Sequence, residues 1–125
     1  MGYRGFKLID SGSTHNFMDV RLAQRMGCKM EPVKLQSVSV ADGSELRCDY
    51  ICKKFNWRLQ GNDFYTDVLL ILLGSCDMVL GVQWLSTLGT IQWKFQTLQM
   101  EFQLGNKRYV LRGLQGPKVK IIKQS

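Results

Sequence analysis

Over most of this chain apolar residues recur at every second position, the period of a half-buried strand rather than of a helix. Phe55, Trp57 and Leu59 alternate with polar residues until Gln60-Gly61-Asn62-Asp63 breaks the run. Residues 36–40 alternate likewise and lead into Asp42-Gly43, a pair suited to the positive φ values of a tight hairpin turn. Further on, Ile91, Trp93 and Phe95 alternate, then Leu98, Met100, Phe102 and Leu104. A second turn pair follows at Gly105-Asn106, with Tyr109 and Leu111 beyond it. Residues 64–73 differ, being β-rich and apolar at consecutive positions, as in a strand covered on both faces. The pattern predicts an all-β fold.

One or two short helices interrupt it. Asn16 stands where it could cap the first, with Asp19 favouring the helix start and Gly27 just past its end. Phe17, Val20 and Ala23 would line one face of that helix, with Met18, Leu22 and Met26 beside it. The second would run about two turns, carry Val82, Leu85 and Leu88, and stop at Gly89. After Gly116-Pro117 the alternation is lost and lysines accumulate. Residues 1–115 are therefore expected as one domain and residues 116–125 as a basic C-terminal tail or linker. A chain of 125 residues can bury one real core but not two. Sheet edges left by the terminal strands invite pairing with another chain, which a dimer would resolve.

Several classes are disfavoured. The longest apolar run, residues 68–73, is far short of a membrane span, and the N-terminus lacks the apolar stretch of a signal peptide. A soluble, intracellular, cytoplasmic protein with no membrane partner is expected. Reduced thiols are then the expectation for cysteines 28, 48, 52 and 76. The spacing of Cys48 and Cys52 does not match a zinc ribbon, and His15 lies far from both in sequence, so no metal is expected. The net charge of +7, from 17 Lys+Arg against 10 Asp+Glu, admits a nucleic-acid or acidic partner. Lys107, Arg108, Arg112, Lys118, Lys120 and Lys123 read more simply as a solvated tail, and Trp57, Trp84 and Trp93 as packing residues. Nucleic acid is thus not the favoured partner.

The segment that carries chemistry is Leu8-Ile9-Asp10-Ser11-Gly12-Ser13-Thr14. An apolar strand delivers a carboxylate into a turn of short hydroxyls, and Gly12 permits close approach of a ligand or another chain. Alone, Asp-Ser-Gly-Ser is a common loop. About seventy residues later comes Asp77-Met78-Val79-Leu80-Gly81-Val82-Gln83-Trp84-Leu85, an apolar strand that ends in glycine and opens a helix.

Together, in this order, the two segments resemble the retropepsins, the aspartic proteases of retroviruses and retrotransposons. The chain is most similar to those of Ty3/gypsy-type LTR retrotransposons, particularly of plants, over roughly residues 7–114. That resemblance implies a retropepsin-like closed β-barrel of the acid-protease type, one lobe per chain. It implies Asp10 as the catalytic residue, with Ser11, Gly12 and Ser13 as active-site loop and dimer lock. Val40, Ala41, Asp42 and Gly43 fall where the family has its substrate-covering flap, and Val79, Leu80 and Gly81 where it supports the active site. No metal and no organic cofactor is implied. The expected activity is that of a homodimeric aspartic endopeptidase. It would hydrolyse extended segments of a gag-pol polyprotein, with water activated by two Asp10 carboxylates. The rival readings are a non-catalytic dimerisation or interaction module derived from such a protease, and a nucleic-acid-binding β-barrel.

Overall fold

The computed structural model describes residues 7–39, 45–73, 76–112 and 119–122. Strand β1 (Lys7–Asp10) is followed by β2 (Phe17–Asp19), helix α1 (Val20–Met26), β3 (Glu31–Ser39), β4 (Glu45–Leu59) and β5 (Asn62–Ile71). Then come β6 (Met78–Leu80), α2 (Val82–Leu85) with a 3-10 turn (Ser86–Leu88), β7 (Gln92–Lys94), β8 (Gln99–Leu104), β9 (Lys107–Arg112) and β10 (Val119–Ile122). The protein is mostly β with two short helices, as the alternation predicts.

Seven strands form one sheet in the order β10-β1-β6-β2-β5-β4-β3, and β7, β8 and β9 form a second. The expected closed barrel is not what the described strands make. The larger sheet ends at β10 and at β3, and the three strands that could extend it pair with one another instead. Among the described residues the fold is an open sheet beside a small antiparallel one. Within the segment read as a basic tail, Val119–Ile122 pairs in parallel with β1, bringing Ile122 opposite Asp10.

The first helix begins later than its sequence suggests. Phe17 and Met18 are strand residues, paired with β5 on one side and β6 on the other, so neither lines a helix face. The cap is Asp19, whose Oδ1 accepts the Arg21 N–H at 2.9 Å, rather than Asn16. Gly27 ends the helix as expected, in a left-handed conformation with φ of 68°. Asp63, which reads as a turn residue, lies within β5 opposite Arg58.

The larger sheet buries both faces. Along β5, Val68 and Leu70 join one apolar cluster while Leu69 and Ile71 join the other, the two-sided burial that the consecutive apolar residues predict. Met78 and Leu80 of β6 likewise face one cluster and Val79 the other. A bulge in β4 between Cys52 and Phe55 keeps Cys52, Phe55, Trp57 and Leu59 in one cluster despite their unequal spacing.

The larger cluster is built on aromatic rings. Trp57 stacks on Phe64 with centroids 4.6 Å apart, and Trp84 meets both edge-on at 5.1 and 5.5 Å. Phe102 lies edge-on to Trp84 at 6.2 Å and stacks on Tyr109 at 5.1 Å. These contacts seat β8 and β9 against α2 and the β4–β5 hairpin. Glu101 of β8 accepts from Lys94 of β7 at 2.8 Å and from Arg108 of β9 at 2.6 Å, tying the three strands together. Those two bonds, that from Lys94 foremost, hold its carboxyl below the usual glutamate range. All four cysteines are free thiols. Burial, followed by the neighbouring Cys28 thiol, pushes Cys52 up to about 11, so it stays protonated near neutrality.

Candidate active site

Strand β1 lies between β10 and β6, and its last residue, Asp10, enters the Asp-Ser-Gly-Ser turn. Asp10 is fully buried. Its Oδ1 accepts the Gly12 N–H at 2.8 Å and its Oδ2 accepts the Ser13 hydroxyl at 3.1 Å. The turn is closed by the Ser13 N–H, which donates to the Asp10 carbonyl at 3.2 Å. Both carboxylate oxygens are thus oriented by neighbours on the same turn. Ser13 is itself buried, Ser11 is half-buried, and Gly12, Thr14 and His15 are exposed. This arrangement presents a fixed carboxyl group beside an accessible stretch of backbone.

The Val79-Leu80-Gly81 segment lies next to that turn. Ile9 pairs with Leu80 and Leu8 with Val79, so β6 delivers Gly81 alongside the residues that follow Asp10. The approach is close enough to require glycine. A Cβ at position 81 would collide with both the Ser13 and His15 carbonyl oxygens, and backbone atoms cannot move aside as a flexible side chain could. Directly after Gly81, the Val82 N–H donates to the Ser13 carbonyl at 2.7 Å and the Gln83 N–H to the Thr14 carbonyl at 2.9 Å. The start of α2 and the turn therefore satisfy each other's backbone groups.

Asn16 completes the junction. Its Oδ1 accepts the Gly81 N–H at 3.0 Å, its Nδ2 donates to the Asp67 carbonyl at 3.3 Å, and its own carbonyl accepts the Leu69 N–H at 2.9 Å. An open cavity of about 380 Å³ adjoins this junction, lined in part by Asn16, Asp67, Gln83, Trp84 and Thr87. Asp10 is not among its lining residues, so the cavity is separate from the carboxylate.

Of the residues singled out in the sequence, the structure brings together Asp10, Ser11, Gly12 and Ser13 with Val79, Leu80 and Gly81. Val40, Ala41, Asp42 and Gly43 lie outside the described residues; the strands flanking them pair as far as Ser39 opposite Glu45. By its place before a helical stretch Asn16 suits a helix cap, whereas in the structure it ties Gly81 to Asp67. The available signal was an Asn inside the run between the acidic turn and the apolar strand β2, too short a sequence feature to name partners so distant along the chain. Among the described residues no three His, Cys, Asp or Glu side chains gather as a metal site, and no helix is long and apolar enough to cross a membrane.

A mostly-β domain in which Asp-Ser-Gly-Ser leaves an apolar strand and is braced by Val-Leu-Gly is protease-like. The chain belongs to the PEG10/RTL1 protease domain family, whose sequence model matches residues 6–107. It is thus a protease domain of retrotransposon origin. Comparison with curated proteins gives no match.

Proposed function

We propose that this chain is one half of an aspartic endopeptidase of retroviral type, assembled as a homodimer in which Asp10 stands beside its own copy. The observation that carries the reading is the buried Asp10 carboxyl, oriented by the Gly12 N–H and the Ser13 hydroxyl in a domain of the protease family. Hydrolysis by this route needs two adjacent carboxyls sharing one proton. The ionised group takes a proton from the attacking water, and the protonated one donates to the carbonyl oxygen of the scissile bond. Two like charges at close range do not both ionise readily, so the pair holds one proton between them; aspartic proteases are the standard illustration of this effect. Each chain carries one such motif, and a two-fold axis supplies the second.

On this reading Ser11 links the two active-site turns, and the exposed Gly12 backbone meets an extended peptide. Residues 40–43, at the family's flap position, contribute to binding that peptide. The substrate is a gag-pol-type polyprotein, the origin is a Ty3/gypsy-type LTR retrotransposon, and the site of action is intracellular. No cofactor takes part.

The test is cleavage of a peptide library near pH 5 at high protein concentration, beside an Asp10→Asn variant. Cleavage by the parent and its loss in the variant is the expected result. If neither cleaves while both sediment as dimers, the domain is a non-catalytic dimerisation module and the reading fails.

A further inference from the structure

We propose that Asn16 is the positioning residue of the Asp10 turn, the side chain that sets where the carboxyl stands relative to α2 and β5. The proposal rests on the reading of Asp10 as the catalytic group and extends it to a residue outside the Asp-Ser-Gly-Ser motif. Asn16 is 2% exposed and belongs to neither apolar cluster. Its carboxamide spans two elements: the oxygen receives the Gly81 N–H at 3.0 Å and the nitrogen reaches the Asp67 carbonyl at 3.3 Å. A donor and an acceptor are required at once, and only one orientation of the amide satisfies both.

The bond to Gly81 has a direct consequence at the carboxylate. With Gly81 held, the next N–H, that of Val82, points at the Ser13 carbonyl at 2.7 Å. The hydroxyl of that same Ser13 donates to Asp10 Oδ2 at 3.1 Å. Four groups thus lie in series from Asn16 to Asp10: amide, Gly81, the Val82–Ser13 bond, and the serine hydroxyl. The turn is held at its far end by Asn16 and at its near end by β1. Loss of the carboxamide leaves the buried Gly81 N–H and the half-buried Asp67 carbonyl without this partner, and the turn must shift to satisfy the buried one. A displacement of about 1 Å at a reacting group is worth on the order of 100-fold in rate.

An ionised carboxylate at this position would accept from Gly81 but repel the Asp67 carbonyl. A neutral carboxyl would accept and donate as the amide does. The experiment compares the parent dimer with Asn16→Asp and Asn16→Leu on a peptide that the parent cleaves. It determines kcat and KM across a range of pH and normalises to folded dimer by sedimentation and circular dichroism. Asn16→Leu is expected to lose about 100-fold in kcat, with KM within about threefold of the parent. For Asn16→Asp the ratio of its kcat to the parent's is expected to fall about tenfold from acid to neutral pH, as the introduced carboxyl ionises. Taking the ratio at each pH removes the titration of the Asp10 pair itself. Should Asn16→Leu not fold, the ratio for Asn16→Asp decides. A ratio flat with pH, or losses explained wholly by unfolded protein, overturns the positioning role while leaving the protease reading intact. A parent that cleaves nothing overturns both.

Discussion

The turn around Asp10 and the small sheet of β7, β8 and β9 both rest on α2, and they are held by different forces. The turn is secured by directional bonds: Val82 N–H to Ser13, Gln83 N–H to Thr14, and the Asn16 amide to Gly81. Few apolar side chains contribute there, and Gly12, Thr14 and His15 face solvent. The small sheet is secured by ring packing of Phe102 and Tyr109 against Trp84 and Phe64, with the Glu101 ion pairs added. Hydrogen bonds fix position because they weaken steeply with angle and distance, whereas apolar burial is non-directional and scales with area. The fold's stability and the geometry of its carboxyl group thus draw on different groups of one short helix, the Trp84 ring for the first and the leading backbone N–H groups of Val82 and Gln83 for the second. Changes in the turn and in the small sheet should therefore separate activity from stability.

Gly81→Ala is expected to have the largest effect. The added methyl would collide with the Ser13 and His15 carbonyl oxygens, so peptide cleavage should be lost altogether, with about 1–3 kcal/mol of stability. Cleavage by a folded Gly81→Ala dimer at near-parental rate would mean that the close approach of Gly81 does not set the carboxyl's position. Phe102→Ala, on the sheet side, removes a ring that is 4% exposed and should cost about 3–5 kcal/mol in urea unfolding. Its kcat per folded dimer should stay within about threefold of the parent, and a much larger loss would mean that packing, too, sets the carboxyl's position. Glu101→Gln should have the smallest effect, because its Lys94 and Arg108 partners are substantially exposed. The folded state holds the Glu101 carboxyl below its usual range. Its stabilisation is therefore present above that range and disappears as pH falls through the lowered value. Parent and variant melting temperatures should differ modestly at neutral pH and converge on acidification; a gap that widens in acid would reverse the assigned sign.

Much of this architecture is written in local patterns. Period-two alternation marks the β4–β5 and β8–β9 hairpins, Gly27 and Gly105 stand where the backbone turns left-handed, and the consecutive apolar residues of β5 foretell burial on both faces. The acidic turn and the Val-Leu-Gly element are likewise visible, and the structure sets them side by side. What is not legible depends on distant partners. Asn16 before a helical stretch looks like a cap, but its amide bonds reach 51 and 65 residues along the chain, which no local pattern encodes. Phe17 and Met18 suit a helix face by spacing, yet their pairing with β5 and β6 overrides that preference. β10 has four residues and a lysine among them, too little alternation to announce a strand. The open sheet is not legible either, because no local pattern announces that among the described residues β7, β8 and β9 pair with one another rather than with the larger sheet.

Whether each active site needs two copies of Asp10 is decided by a mixing experiment. Asp10→Asn replaces half of the parent chain at constant total protein, under conditions where dimers exchange, and peptide cleavage is followed. If only parent homodimers are active, the rate falls with the square of the parent fraction, to about a quarter. A fall to only about half, in proportion to the parent chain present, would mean that each chain works alone and would contradict the shared-carboxylate account.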